Sequence, residues 1–250
     1  MPSMPIIHPT NSLQVNRRYL KTMVAQVLFP EKLNPNTWHH EESQKLNMCL
    51  ETGLRMFNNP VLTDRKRGQH EWSFLSPTTT LQTVADSMTV DLPAGFAMLD
   101  GTMHYHPSNT TLGPPIVEVS EHQILTALQH GAESGVPKFC AVRVKDIAPI
   151  GTRYELVLWP IPGDVYTITY KYQANPELLV ADDDIPLGGQ AHSQTIIEAC
   201  QAAAEILFKG GEGIHYKLFL QRLDASIAHD ESVASPDTLG YDRDRSDHPM

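Results

Sequence analysis

The sequence predicts an α+β protein: helices from both ends of the chain form a helical bundle, a β-sandwich or barrel-like domain is inserted between them, and extended tails flank the whole. Three observations carry this expectation. Apolar residues recur with a helical period near the start and again towards the end, the middle switches to short alternating runs punctuated by prolines, and both extremities lack that patterning. Helices, then strands, then helices is the order of a chain whose element types segregate, as opposed to the alternation of a βαβ fold. The expected division is an N-terminal arm over 1–11, a helical bundle from 12–69 and 186–231, an inserted β-rich domain over 70–185 and a C-terminal tail over 232–250.

Each element has its own justification. Ser12 can cap a helix whose apolar positions Leu13, Leu20, Met23, Val24, Val27 and Leu28 follow a 3.6 period until Pro30 stops it. Thr37 can cap the next helix, in which Glu41 and Glu42 complement the positive end of the dipole and Leu46, Cys49, Leu50, Leu54 and Phe57 form the buried stripe. Alternation then predicts strands at Trp72 and Phe74, at Met88, Val90 and Leu92, and over 116–119, 138–145, 154–159 and 165–172. Within that block, Ser120-Glu121-His122-Gln123 is a capping box that opens a short helix through Gln129, and His130-Gly131 closes it. Beyond Gly188-Gly189, the residues Ile196, Ile197, Cys200, Ala203, Ala204, Leu207 and Phe208 make an alanine-rich stripe. A last helix over 213–228 uses Tyr216, Phe219, Leu220, Leu223 and Ile227.

Composition narrows the function. Of 250 residues, 41% are hydrophobic and 19% charged, which suits a globular chain with a real core. Lys and Arg total 19 against 29 Asp and Glu, a formal charge of −10, so the chain lacks the basic surplus with which a DNA-wrapping protein neutralises phosphates. Contact with nucleic acid without gripping it stays open. Cys49, Cys140 and Cys200 are odd in number and lie inside apolar patterns without CxxC spacing, which predicts reduced core residues and folding in a reducing cytoplasm. No export signal opens the chain and no run of apolar residues is long enough to span a membrane, so no membrane partner is expected.

Reaction chemistry finds little support. His104 and His106 lie two apart on an expected strand and would share one face, the strongest lead towards a metal-dependent, cupin-like enzyme. Asn109 and Thr110, however, stand where such a site wants a carboxylate, and exposed strand histidines are the plainer reading. His39 and His40 read as a solvated first turn. Asp182-Asp183-Asp184 lacks the alternating ligands and glycine turn of a calcium loop and reads as a solvated acidic run. Gly188-Gly189 and Gly210-Gly211 have no phosphate-loop lysine, and no nucleophile signature occurs. Arg65-Lys66-Arg67 reads as a loop, with a phosphate or acidic partner as the sharper alternative. Tyr166, Tyr170 and Tyr172 alternate at period two and predict an aromatic row on one face. The polar stretch from Ser232 to Met250 is too poor in apolar groups to fold alone, so the expectation is that the tails are held by docking onto a neighbouring chain. No catalytic residue, cofactor or metal is therefore assigned.

One string of features resembles a known family. It runs from Gly53-Leu54-Arg55-Met56-Phe57 with Pro60, through His70-Glu71-Trp72-Ser73-Phe74-Leu75, Val90-Asp91-Leu92-Pro93 with Phe96, and Pro137-Lys138-Phe139. It continues with Glu155-Leu156-Val157-Leu158-Trp159-Pro160-Ile161-Pro162 and Tyr166, then Tyr172 with Pro176-Glu177-Leu178-Leu179, and ends with Ile185-Pro186 before the alanine-rich helix. Over residues 12–230 the chain is thereby similar to the head-to-tail adaptor, or connector, proteins of tailed bacteriophages. The resemblance implies a structural protein of the virion neck: a twelve-fold ring beneath the portal, joined below to a tail or lower neck protein, with double-stranded DNA passing through the lumen unbound. A tail-tube or tail-completion ring is the alternative within the same class. Twelve copies would carry about −120 formal charges, and lumen-facing acidic groups would repel a duplex within about 10 Å at 0.1 M salt. Leu239, Tyr241, Arg243 and Arg245 in the tail are the expected contacts with the portal or an adjacent copy.

Overall fold

A computed structural model describes residues 13–32, 34–60, 70–110, 113–148 and 151–233. The fold is mixed α+β, and among the described residues there are five α-helices and several sheets, none closed into a barrel. The chain divides into two compact units, one made of Met1–Ser73 with Leu178–Met250 and the other of Phe74–Glu177.

In the first unit, helix α1 spans Arg17–Leu28 and α2 spans His40–Asn58. Their starts differ from the sequence expectation. Ser12 lies outside the described residues, and Asn16 caps α1, its Oδ1 accepting the Tyr19 N–H at 2.9 Å. Leu13 therefore precedes the helix and is 75% exposed, away from the buried stripe in which its spacing placed it. At α2 the expected cap Thr37 sits in a short 3₁₀ turn, Pro35–Thr37, and the helix begins after His39, whose N–H donates to the Glu42 carboxylate at 2.9 Å. The Asp182–Asp184 loop is tied in as well. Backbone carbonyls of Asp184 and Asp182 accept the Arg17 and Arg18 N–H groups at 2.8 and 3.0 Å, filling orphan donors at the start of α1. The Asp182 carboxylate pairs with Lys21 and Arg17 at 3.3 and 3.2 Å, and Asp184 Oδ2 accepts from the Val180 and Ala181 N–H groups at 2.6 and 2.7 Å. The acidic run thus serves as a cap and a turn, while Asp182 and Asp183 stay exposed as the solvated reading expects.

Helix α4, Gly189–Phe208, is contacted by α1, by α2 and by α5, Ile214–Val233. A helix covered on so many sides loses its polar face, and α4 buries Ala199, Ala202, Ala203 and Ala204 along with Ile196 and Ile197. Small side chains let α2 come very close: a Cβ built on Gly53 would lie 2.5 Å from the Cys200 Cα. Polar groups inside are paired. Thr195 Oγ1 meets Ser226 Oγ at 2.7 Å, and Gln201 donates to the Met23 carbonyl at 3.0 Å. Glu205 supplies the N-terminal cap of α5, its Oε2 accepting the His215 and Tyr216 N–H groups at 3.0 and 3.2 Å. A Cβ on Gly213 would run into that carboxylate, so a larger residue there would push the cap aside. Glu205→Ala is accordingly expected to cost about 1–2 kcal/mol of stability, measured by urea unfolding, because it strands two helix-start donors and removes a negative charge from the dipole's positive end.

The second unit carries strands β1 (Thr78–Gln82), β2 (Thr89–Asp91), β3 (Phe96–Leu99), β4 (His104–Tyr105), β5 (Val117–Glu118), β6 (Ser134–Gly135), β7 (Phe139–Ala148), β8 (Gly151–Trp159), β9 (Ile161–Pro162) and β10 (Thr167–Ala174), with helix α3 at Glu121–Gln129. One sheet has the order β1-β10-β3, with β4 also on β10. Another runs β2-β8-β7-β5, and β6 pairs with β9. The long ladder is antiparallel, Cys140 facing Leu158 and Val142 facing Leu156, whereas β5 joins β7 in parallel.

Period two decides the burial. Leu156 and Leu158 point into a core that also holds Leu81, Phe96, Met103, Ile116, Tyr166, Ile168 and Tyr170, whereas Val157 and Ala141 point to the opposite face, where Ile124 of α3 covers them. The aromatic row lies on the core side, with Tyr170 and Tyr172 ring centroids 5.7 Å apart and Phe96 stacked on Tyr172 at 5.7 Å. Tyr105 Oη donates to the Pro137 carbonyl at 2.6 Å, so the one polar end of a buried ring is paired. Helix α3 opens as its capping box predicts, Gln123 Oε1 accepting the Ser120 N–H at 3.0 Å.

Candidate functional site

The residues expected to make intermolecular contacts, Leu239, Tyr241, Arg243 and Arg245, lie outside the described residues, as does the basic cluster Arg65-Lys66-Arg67. The histidine pair lies within them. His104 is on β4, its Nε2 3.2 Å from Thr102 Oγ1, and His106 follows the strand, its Nδ1 2.7 Å from Ser108 Oγ. Asn109, at the position where a metal site would want a carboxylate, serves the backbone. Its side chain donates to the His106 and Thr167 carbonyls at 2.8 and 2.7 Å and accepts the Thr167 N–H at 2.8 Å, pinning the loop to the start of β10. Among the described residues no three His, Cys, Asp or Glu side chains converge as a metal centre would need.

The cysteines are free and buried, and burial pushes the Cys49 and Cys140 thiols up to about 12, the charge of Glu118 adding to the rise at Cys140. A thiol held neutral in this way is a packing group, not a nucleophile.

The first unit has accessible features suited to contact with another macromolecule. An open groove of about 580 Å³ runs between the start of α1 and the first turns of α4, lined by Leu13, Tyr19, Gln190, Ser193, Gln194 and Ile197. At the other end of α4, Ile206, Leu207 and Phe208 are partly exposed and Ile214 opens α5 at 67% exposure. Leu13 and Tyr19, exposed beside the start of α4, and the apolar groups in water at its end are the kind of surface that a protein partner covers.

In the second unit, β7 and β8 run on past the three residues of β2 and carry a lattice of charges. Arg143 reaches Glu155 at 2.6 Å and Glu121 at 3.3 Å, Lys145 reaches Asp91 at 2.6 Å, and Arg153 bridges Asp91 and Asp146 at 3.4 and 3.8 Å. The hydrogen bond from Lys145, helped by its charge and that of Arg153, holds the Asp91 carboxyl below its ordinary range. Paired charges of both signs make this ribbon polar, with no surplus of positive charge to trap a phosphate backbone.

Against this geometry, the model of the family described as SU10 adaptor protein matches residues 33–240. The chain belongs to the SU10 adaptor protein family. This is a family of phage head-to-tail adaptors, structural proteins by role. No curated protein matches the chain. The family match spans α2 to α5 and so takes in the second compact unit and all of the first from residue 33 to 240, leaving out α1. Among the described residues, no helix is long and apolar enough to cross a membrane.

Proposed function

We propose that this adaptor assembles as a ring, twelve-fold by the portal's symmetry, beneath the portal vertex of a phage virion, where it joins the DNA-filled head to the tail. The observation that carries the reading is the family match across residues 33–240. In this reading α1, α2, α4 and α5 act as a helical bundle, the two larger sheets act as a sandwich-like domain inserted within it, and the residues beyond α5 reach a neighbour. Leu239 and Tyr241 would supply apolar anchors there, and Arg243 and Arg245 would pair with acidic groups of the portal or the adjacent copy.

The DNA would pass through the lumen without being held. A formal charge of −10 per chain supports this, because sequence-independent affinity for duplex requires a net gain in phosphate neutralisation. The exposed apolar groups beside the start of α4, Leu13 and Tyr19, and those at its end, Ile206 to Phe208, supply the contact area for ring neighbours and the portal.

Deleting residues 232–250 tests the contact. The truncated chain is expected to keep its unfolding free energy within about 0.5 kcal/mol of the parent while losing co-sedimentation with the portal ring. Normal portal binding by the truncated chain would overturn the assignment of the tail. Cross-links formed in intact particles to a tail-tube protein and not to the portal would move the ring to the tail.

A further inference from the structure

The open groove between the start of α1 and the first turns of α4 has a chemistry that selects its occupant. Its volume is about 580 Å³, and none of the nine residues that line it carries a charge. Leu13 and Tyr19 are 75% and 49% exposed on its α1 side, and Gln190 is exposed on its α4 side. An exposed phenol ring, aliphatic groups and side-chain amides are what a protein needs to hold a proline-rich segment. Such a segment is extended, makes no internal hydrogen bonds and leaves its carbonyls for outside donors.

The two ends of the chain differ in how well they fit. Residues 234–250 carry Asp237, Asp242, Arg243, Asp244, Arg245 and Asp247, and taking such groups out of water into a groove without counter-charges is unfavourable. Residues 1–12, which lie outside the described ones, contain no Asp, Glu, Lys or Arg and set Met4, Ile6 and Ile7 between Pro2, Pro5 and Pro9. Position agrees with composition. Ser12 adjoins Leu13, itself a wall of the groove. His8-Pro9-Thr10-Asn11 has proline in the second place of a turn, and Asn11 and Ser12 favour turns through their side-chain bonds to nearby backbone. A reversal there sends the preceding residues back over the groove. Ile6 stands seven positions before Leu13, a reach of up to about 23 Å, roughly twice the width of a helix with its side chains.

We propose that this groove is a binding site for an uncharged, proline-rich segment and that its occupant is residues 4–9 of the same chain. Docked, Ile6 and Ile7 cover Leu13 and the Tyr19 ring, and the Gln190 amide donates to a carbonyl of the arm. The arm then shields apolar groups that the ring reading gives to a neighbouring copy, so assembly displaces it. That consequence rests on the ring, whereas the docking of the arm does not.

A short tether holds a segment near its site at an effective concentration in the millimolar range, so an arm seated in its own groove competes with the same sequence added as a peptide. The test compares the full chain with its Ile6→Asp/Ile7→Asp variant, with a fluorescent peptide of residues 1–9 as the probe. The charged arm of the variant leaves the groove free, and the variant is expected to bind the peptide about tenfold more tightly than the parent, the ratio for a peptide Kd one-tenth of the effective concentration. Adding Tyr19→Ala, which removes an exposed ring, should weaken that binding about tenfold. No binding to the variant, equal binding by parent and variant, or binding unmoved by Tyr19→Ala would each overturn the proposal. A difference between parent and variant that vanishes on dilution would give the arm to a second copy and overturn its assignment to its own chain. Failure here is distinct from failure of the ring: a ring seen in isolated necks would stand without peptide binding, and peptide binding would stand without a ring.

Discussion

Gly53→Val is expected to lower the unfolding free energy by about 3 kcal/mol or more. The new side chain would have to occupy the position where α2 and α4 touch. A Cβ on Gly53 would sit 2.5 Å from the Cys200 Cα, 2.6 Å from its nitrogen and 2.8 Å from the Ala199 carbonyl carbon. All three are backbone atoms of a buried helix, so no rotamer change relieves the clash and the two helices must separate. Separation opens voids around Leu46, Cys49, Leu50 and Phe57, the residues through which α2 is buried. Gly53→Ala sets two effects against each other. Alanine gains up to about 1 kcal/mol in helix propensity, and overpacking costs about 1–3 kcal/mol. Backbone-to-backbone contact makes the second the larger, so alanine is expected to be destabilising. Urea midpoints at unchanged slope measure both variants, and a more stable alanine variant would show that the crossing is looser than described.

Trp72→Ala is expected to cost about 3–5 kcal/mol, the range for removing a large buried aromatic. The indole is fully buried, packs on Phe57 with centroids 4.7 Å apart, and donates its Nε1–H to the Phe57 carbonyl at 3.0 Å near the end of α2. Truncation removes the ring and leaves that carbonyl without the indole donor. Trp72→Phe should recover most of the loss, keeping the ring and forfeiting the hydrogen bond, worth about 1 kcal/mol. Thermal unfolding of the two variants separates packing from hydrogen bonding, and near-wild-type stability of the alanine form would remove Trp72 from the core.

The same tryptophan shows where pattern reading stops. Trp72 and Phe74 alternate as they would on a strand, yet Ser73–Leu75 is a 3₁₀ turn, and what fixes Trp72 is a partner earlier in the chain. Alternation reports which side chains are buried and says nothing of whether a neighbouring strand exists. Where the deciding interaction is local, the sequence was read well: Ser120 and Gln123 close on each other within one turn and α3 follows, and the 3.6 period of Ile196, Cys200 and Ala203 places α4. Distance along the chain hid the rest. The partners of Asp182, Arg17 and Lys21, are 165 and 161 positions away, and the closeness of Gly53 to Cys200 depends on a helix crossing. The hydrogen bond from Ser73 Oγ to Asp230, 157 positions on, is hidden for the same reason.

The family could be read because its features are ordered runs, such as Glu155 to Pro162, which takes in the end of β8 and all of β9 and sends Leu156 and Leu158 to one face and Val157 to the other, and the match over 33–240 includes that run. The expected contact residues are chosen by residue type alone. Leu239, Tyr241, Arg243 and Arg245 stand among polar and acidic neighbours, and they lie outside the described residues.

Imaging of necks isolated from virions tests the head-to-tail role most directly. The account predicts density for this chain in a closed ring seated against the portal, in copies matching the portal's symmetry, with a continuous lumen wide enough for duplex DNA. Virions that contain no such ring, or a chain that stays monomeric beside an assembled portal at every concentration, would contradict it.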